Sequence, residues 1–376
     1  MIYLDSAATS LSKPVSVERA VVRAMRSMAS PGRGGHPPAM LAAETVYACR
    51  EEAAALFHVP DPSRVVFTMN ATHGLNLAIR SRVRPGGRVV ISGFEHNAVT
   101  RPLHALGAEI HIAGRELFAP ERLLEEWERE LPRVETAVCT VVSNVFGYIL
   151  PVGELAALCR RYDVPLILDA SQAAGVLPLD FEALGAAFVA MPGHKGLLGP
   201  QGTGLLLCGE EGSPLIQGGS GSESRLQRMP DALPEHLEAG THNVPGIAGL
   251  LAGIRYVRRT GTQSILNHEQ ALLARAAADL EGSGLELFIG PKEEQSGVLS
   301  LRCPWMDCEE LAAGLAERGV CVRAGLHCAP TAHESAGTLE TGTLRLSFSP
   351  FLRPGELDEA CRILRRITES TRGGAD

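Results

Sequence analysis

Short apolar runs alternate with helical patterns along the first half of the chain. The runs bounded by turn residues predict buried strands at residues 64–68, 88–92, 108–112, 136–142, 164–169 and 186–191. Helices are predicted from about Thr72, from about Ala98 and over residues 154–162. Because strands that alternate with helices form mainly parallel sheets, this half of the chain is predicted to be an α/β unit.

The pattern changes after Pro245. A helical stretch follows it, and later apolar segments at residues 297–302 and 342–348 predict the strands of a second, smaller unit. The expected division has three parts: a large domain over residues 16–250, a small α+β domain from residues 1–15 and 260–376, and a connecting helix at residues 245–259.

The composition is that of an ordinary globular enzyme, and it limits the classes of partner that the protein is expected to bind. Apolar residues make up 45% of the 376 residues, charged residues make up 21%, and the formal net charge is −8. The arginines are scattered without a basic run, so nothing in the sequence favours nucleic acid or an anionic membrane as a partner. The best apolar run, at residues 246–254, is far shorter than the roughly 18 residues of a membrane-spanning helix. We expect a cytoplasmic protein.

The nine cysteines include no pair at the C-x-x-C spacing, which argues against a disulfide framework and a ribbon-type zinc site. Cys321, His327, Cys328 and His333 are close in sequence, but their spacing matches no zinc pattern, and no metal site is predicted. Cys328 differs from the other cysteines because a glycine and a proline flank it. They indicate a loop, where functional residues are common.

Lysine is rare in this chain, which has 32 arginines and three lysines among its 35 basic residues. Lys195 lies in a glycine-rich turn at residues 191–200, whereas Lys13 and Lys292 lie in ordinary polar segments. A lysine amine, unlike a guanidinium, can lose its proton when it is desolvated and form a Schiff base with a carbonyl group. On the count alone, a solvated loop cation would still be the favoured interpretation of Lys195.

Asp169 changes that interpretation. It ends one predicted strand, Lys195 follows the next one, and the carboxyl ends of neighbouring parallel strands meet at the same edge of a sheet. A pyridine-ring cofactor that stabilises carbanions needs both groups, a lysine for its aldehyde and an acid that keeps its ring nitrogen protonated. The alternative is an aspartate that only caps the next helix.

Residues 67–76 form a candidate phosphate site. They end a strand and open a helix near Thr72, so backbone N–H groups, the helix dipole and a hydroxyl can all face an anion. Thr72 could equally be only the N-cap of this helix.

Eight ordered motifs resemble those of the cysteine desulfurases, which are class V, fold-type I pyridoxal-phosphate enzymes, and the resemblance is closest to their group II branch. The motifs lie at residues 3–8, 67–76, 95–98, 142–145, 169–172, 193–195, 238–243 and 323–328. The resemblance covers essentially the whole chain. It implies pyridoxal 5′-phosphate as cofactor and an α/β fold-type I architecture: a large domain with a mainly parallel seven-stranded sheet flanked by helices, and a smaller α+β domain.

The resemblance also implies roles around the cofactor ring. Lys195 would hold the cofactor covalently, Asp169 would pair with the ring nitrogen, and His96 would stack on the ring. Asn144 and Gln172 would bond around the ring hydroxyl.

For the phosphate, the resemblance implies Ala71, Thr72 and His194. It also implies Thr241 of a second subunit, and therefore a homodimer.

For the substrate, the resemblance implies that Arg345 clamps the carboxylate of L-cysteine, with Asn144 and Arg323 beside it. A guanidinium binds a carboxylate bidentately, although an isolated strand arginine is usually at the surface. Cys328 would take the sulfur as a persulfide and leave L-alanine. A nearby cation such as His327 could favour the thiolate of Cys328.

Three positions depart from the family pattern. Pro192 stands where close relatives often have a serine, His73 where many have a glutamate, and Leu326 where a histidine is common. The sulfur acceptor, whether a protein or a small thiol, and the choice among cysteine, cysteine sulfinate and selenocysteine stay open. So do three alternatives: a selenocysteine lyase, a class V aminotransferase or amino-acid lyase in which Cys328 is a bystander, and a non-catalytic scaffold that binds a sulfur-acceptor protein.

Overall fold

The computed structural model describes residues 1–32 and 34–372, so the end of the predicted small domain, residues 373–376, lies outside the described residues. The strands are β1 (Ile2–Tyr3), β2 (Val65–Thr68), β3 (Arg88–Ser92), β4 (Glu109–Ala113), β5 (Thr136–Thr140), β6 (Leu166–Asp169), β7 (Phe188–Pro192), β8 (Gly204–Cys208), β9 (Glu286–Phe288), β10 (Val298–Arg302), β11 (Val320–Cys321), β12 (Arg323–Gly325) and β13 (Thr343–Ser347). The helices are α1 (Val15–Ser27), α2 (Pro37–Phe57), α3 (Ala71–Arg82), α4 (Asn97–Ala105), α5 (Pro120–Glu130), α6 (Val152–Arg161), α7 (Phe181–Leu184), α8 (Val244–Thr260), α9 (Thr262–Leu280), α10 (Cys308–Ala316), α11 (Pro330–Ser335) and α12 (Pro354–Arg372).

A seven-stranded sheet with the order β2-β8-β7-β6-β5-β3-β4 forms the centre of the molecule. The strands from β7 to β4 pair in parallel, and β8 runs antiparallel to both of its neighbours. Every residue of β5, β6, β7 and β8 is buried. Continuous apolar runs are typical of strands that are covered on both faces, which is why these runs could be located in the sequence. The predicted α/β architecture with a mainly parallel sheet is confirmed.

A second, antiparallel sheet has the order β12-β13-β10-β9. The N-terminal segment lies against it, because the Ser347 N–H donates to the carbonyl of Leu4 at 2.8 Å and Asp5 forms a bridge with Ser347. This contact brings residues from opposite ends of the chain together. The domain boundaries expected from the sequence stay a prediction.

The helix predicted after Pro245 is α8, which packs against α1 and α2. At Gly253 a Cβ atom would lie 2.3 Å from the carbonyl oxygen of Leu197. Only glycine permits this approach, so α8 can press directly on the turn that contains Lys195. No helix in the two described ranges is long and apolar enough to cross a membrane.

Candidate active site

Polar side chains from five segments, including Asn144 in the loop after β5, meet in a cleft at the carboxyl edge of the central sheet. β6 ends at Asp169, β7 ends three residues before Lys195, and α3 and α4 begin shortly after β2 and β3 end. Eight of the residues that the sequence assigns to the cofactor line this cleft, namely Ala71, Thr72, His96, Asn144, Asp169, Gln172, His194 and Lys195.

Lys195 is fixed in a tight turn and is half-buried. A Cβ atom at Gly196 would lie 2.4 Å from the Ala174 carbonyl oxygen, so the turn needs glycine beside the lysine. Burial lowers the pKa of Lys195 to about 8, an effect that Asp169 opposes and Arg345 reinforces. The amine therefore loses its proton far more readily than an ordinary lysine, as a Schiff-base nucleophile must.

The carboxylate of Asp169 is 2% exposed and has one oxygen available. Its Oδ1 accepts hydrogen bonds from the Ser171 N–H at 2.9 Å and the Ser171 hydroxyl at 2.5 Å, whereas Oδ2 accepts none from the described part of the chain. The next α-helix, α7, begins only at Phe181, so Asp169 does not cap it. A buried carboxylate with a free oxygen fits a protonated ring nitrogen.

His96 is the N-cap of α4, where its Nδ1 accepts from the Ala98 N–H at 3.0 Å. Burial lowers its pKa, so the ring is neutral and suited to stacking. Asn144 and Gln172 donate through their amide nitrogens, to the carbonyls of His327 and Ala7 at 2.9 and 3.0 Å. Their amide oxygens are left as acceptors toward the cleft they line.

The start of α3 is capped by Asn70, whose side chain accepts from the His73 N–H at 2.9 Å. Thr72 is therefore not the N-cap, and this alternative is wrong. The N–H groups of Ala71 and Thr72 belong to the first helical turn, which has no intrahelical acceptors, and they can bind an anion. Burial, followed by Lys195 and Lys13, lowers the pKa of His194 to about 4, so its ring is neutral. Pro192 also lines the cleft and contributes no hydroxyl.

Arg345 is 1% exposed and is already bound within the chain. Its Nη2 donates to Asp5 Oδ1 at 2.7 Å and its Nη1 to the Asn144 carbonyl at 2.9 Å, while Nε is buried without a partner among residues 1–32 and 34–372. Arg323 lies directly opposite Arg345 in the register of β12 and β13. Asp5 had no role in the sequence-based prediction. Its position inside the motif at residues 3–8 was the available signal.

Cys328 is exposed, in a loop that joins β12 to α11. His327 and Cys328 both have left-handed backbones, with φ of 49° and 57°. The Cys328 carbonyl accepts from the Asn97 N–H at 2.8 Å, and the His327 carbonyl accepts from Asn144. The loop is therefore anchored beside His96 and Asn144, at the rim of the cleft.

The cation near the Cys328 thiol is Arg323, not His327. Arg323 Nη2 lies 3.9 Å from Cys328 Sγ. His327 is buried, with Nε2 3.1 Å from the Thr343 carbonyl, and burial followed by the charge of Arg345 lowers its pKa to about 2. The prediction that His327 supplies a positive charge is wrong, because a histidine with this pKa is neutral near pH 7.

Thr241 lies apart from the cleft. It is exposed in the loop before α8 and lines a shallow surface pocket together with Met69, His73 and Ile216. Met69 and Ile216 are themselves exposed. The described residues contain no group of three or more His, Cys, Asp or Glu side chains that could hold a metal ion.

A mainly parallel sheet with a half-buried lysine and a buried carboxylate at its carboxyl edge is the arrangement of the fold-type I pyridoxal-phosphate enzymes. The family model named Aminotransferase class-V matches residues 2–359. A protein of Mycolicibacterium paratuberculosis named "Probable cysteine desulfurase" is 32% identical over all of this chain, which spans 56% of that relative's length. A protein of the same name from Methanothermobacter thermautotrophicus is 32% identical over 92% of this chain and 89% of the relative.

Among solved structures, the apo cysteine desulfurase of Thermococcus onnurineus NA1 is similar, with a TM-score of 0.90 and 28% identity. The match covers 98% of this chain and 95% of that one. The chain therefore belongs to the class-V aminotransferase family and groups with its members named cysteine desulfurases.

Proposed function

We propose that the protein is a pyridoxal-phosphate-dependent cysteine desulfurase, which converts L-cysteine to L-alanine and leaves the sulfur as a persulfide on Cys328. One observation carries this proposal: an exposed thiol is anchored at the rim of a cleft that contains a half-buried lysine of lowered pKa and a buried carboxylate. The thiol can accept sulfur, the lysine can form a Schiff base, and the carboxylate complements a pyridinium.

The donor set of the cleft fits the cofactor. In this proposal Lys195 would bind its aldehyde, Asp169 Oδ2 would accept from its ring nitrogen, and His96 would stack on its ring. The N–H groups of Ala71 and Thr72 and the His194 ring would hold the phosphate, while Asn144 and Gln172 would bond around the ring hydroxyl. The bound cofactor supplies an electron sink at the substrate α-carbon.

Residues in and beside the cleft orient the substrate and move protons. Arg345 and Arg323 bind the substrate carboxylate, since they lie directly opposite each other in the register of β12 and β13 and a guanidinium binds a carboxylate bidentately. Asn144 adds a contact from the neighbouring loop. The Nζ atom of Lys195 moves the α-proton, because its lowered pKa lets it accept and return a proton near neutral pH.

Sulfur transfer to Cys328 requires no external oxidant. The Cys328 thiolate attacks the substrate sulfur, so that an S–S bond forms as the substrate C–S bond breaks. The electron pair of the C–S bond goes to the substrate β-carbon, which then takes a proton and becomes the methyl group of alanine. The guanidinium of Arg323 lies beside the reacting sulfur, with Nη2 3.9 Å from Cys328 Sγ.

We also propose that the protein is a homodimer located in the cytoplasm, in which Thr241 of one subunit would reach the cofactor phosphate in the cleft of the other. Thr241 projects from a surface that exposes Met69 and Ile216, and exposed apolar side chains of this kind favour contact with a second subunit. The nine cysteines are all free thiols, as is usual for proteins of a reducing compartment.

The test of the proposal is Cys328→Ser, with Cys321→Ser as a matched control in the neighbouring strand β11. We expect the Cys328 variant to keep the cofactor absorbance but to form neither alanine nor the persulfide, which mass spectrometry detects as one added sulfur on the peptide. The control should form both. Conversion of cysteine to alanine at the parent rate by the Cys328 variant would overturn the proposal and favour a lyase or aminotransferase.

A further inference from the structure

A buried ion pair lies outside the cleft, between α2 and the loop that precedes α8. The side chain of Glu238 is 5% exposed, and Arg50 binds it with both terminal nitrogens, Nη1 to Oε1 at 2.8 Å and Nη2 to Oε2 at 2.5 Å. Arg50 also donates to the Val65 carbonyl in β2. A buried pair with two parallel hydrogen bonds is rigid, because neither charge can move without losing its partner.

Glu238 accepts from two further groups on different segments. The Phe67 N–H donates to Oε1 at 2.5 Å, and His242 Nε2 lies 2.6 Å from Oε2. Burial alone would raise the pKa of Glu238, but Arg50 and His242 overcome this effect and hold the pKa below its ordinary value. The guanidinium of Arg50 stacks 4.4 Å from the centre of the Phe67 ring. A single carboxylate therefore connects α2, β2 and the loop.

Hydrogen bonds at Gly240 and Asn243 also fix the loop that precedes α8. The Gly240 N–H donates to the Gly219 carbonyl at 2.7 Å, and Gly240 has a φ of 93° that favours glycine. Asn243 caps α8 through the Gly246 N–H at 3.0 Å and donates to the Gly202 carbonyl at 3.2 Å. Between these anchors, Thr241 is the exposed residue that the loop projects from the surface.

We propose that Glu238 and Arg50 are positioning residues for the other subunit: they hold Thr241 in the orientation in which its hydroxyl meets the cofactor phosphate in the partner's cleft. The inference rests on the proposed function, which assigns Thr241 to the second subunit. Neither Glu238 nor Arg50 lines the cofactor cleft of its own chain. Because Glu238 also holds the Phe67 N–H of β2, an effect within its own chain is the competing possibility, and the experiment separates the two.

The first measurement is cofactor retention by the holoenzyme during dialysis, read as the fraction of the Lys195 peptide that borohydride reduction labels. Glu238→Gln should lose the cofactor about tenfold faster than the parent, the size of loss that is usual when a group that orients a ligand-binding residue is removed. Arg50→Lys keeps the positive charge but not the paired hydrogen bonds, and should give a smaller acceleration in a protein that folds. Parent-like retention in both variants would overturn the inference.

The second measurement uses mixed dimers of a Glu238→Gln chain and a Lys195→Ala chain, purified with two different tags. Their single Lys195 lies in the Glu238→Gln chain, and the Thr241 that reaches it comes from the other chain, whose loop is native. We expect retention to return to the parent value. Loss that stays fast would show that Glu238 acts within its own chain, and the inference would be wrong.

Mixed dimers of Thr241→Ala and Lys195→Ala chains separate the positioning role of Glu238 from the cross-subunit contact of Thr241. If these dimers recover retention and those with Glu238→Gln do not, only the positioning role fails. If the Thr241→Ala dimers do not recover either, the cross-subunit assignment in the proposed function fails, and the positioning role fails with it.

Discussion

Replacing Asp5, the ion-pair partner of the buried Arg345, should lower the free energy of unfolding by an amount that depends on the burial of the pair. Asp5→Asn removes a negative charge and little volume. The Arg345 guanidinium is 1% exposed and keeps a hydrogen bond to the Asn144 carbonyl, but its positive charge loses its carboxylate. Removing one partner of a buried ion pair costs about 3–5 kcal/mol. Since the Asp5 side chain is 20% exposed and water reaches it, we take the lower end, about 3 kcal/mol.

That free energy translates into a measurable change in melting temperature. Unfolding entropy is about 2.1 cal/mol/K per residue, or about 0.8 kcal/mol/K for a chain of this length. A loss of about 3 kcal/mol therefore lowers Tm by about 4 °C. The assay is thermal unfolding of the cofactor-free protein, followed by circular dichroism at fixed pH and ionic strength, so that cofactor loss does not contribute to the transition.

Asp358→Asn is the matched control. It makes the same chemical change in a carboxylate that also pairs with an arginine, but the Arg275 side chain is 50% exposed and water replaces the lost partner. Its Tm should change by no more than about 1 °C. Equal shifts in the two variants would refute the reasoning, because burial would then have no bearing on the cost of an unpaired guanidinium.

Two further predictions concern the cleft. In the cofactor-free protein, acylation of Lys195 should rise with a midpoint near pH 8, because burial lowers its pKa from 10.5 to about 8 and the amine is neutral above that value; a midpoint near 10.5 would contradict it. Arg345→Ala should raise KM for L-cysteine by about 30-fold or more, since a lost charge partner in a desolvated site costs about 2–5 kcal/mol. Arg302→Ala in β10, which removes a surface ion pair with Glu286 in β9, should leave KM unchanged.

Much of the fold could be predicted because the strands of the central sheet are continuous apolar runs. The strand predicted at residues 88–92 coincides with β3. The one predicted at residues 136–142 is two residues too long, because the Val141 N–H bonds the Asp169 carbonyl and Val142 forms a bridge with Ile149, outside the ladder. In the sequence these two valines cannot be distinguished from the apolar residues of the strand, so the pattern alone does not show where β5 ends.

Those residues of the cleft that belong to local sequence motifs could be predicted. Asp169 and Lys195 follow strands, so topology alone brings them together. The pairing of Asp5 with Arg345 could not be deduced, because it joins residues 340 positions apart. The neutral state of His327 also depends on tertiary packing, since a histidine in a loop between Gly and Pro gives no sign that it will be buried.

If Cys328 carries the sulfur as proposed, its anchored loop sets a limit on sulfur delivery. Two consecutive left-handed residues cost about 1–3 kcal/mol each and persist only when their surroundings hold them, so the backbone here is not free to swing. A persulfide extends only about 2 Å beyond Sγ, the length of one S–S bond. Any motion of the outer sulfur is then confined to rotation of one short side chain. An acceptor must bring its own thiol to the rim of the cleft, which a protruding loop or a small molecule can do and a thiol recessed in a concave surface cannot.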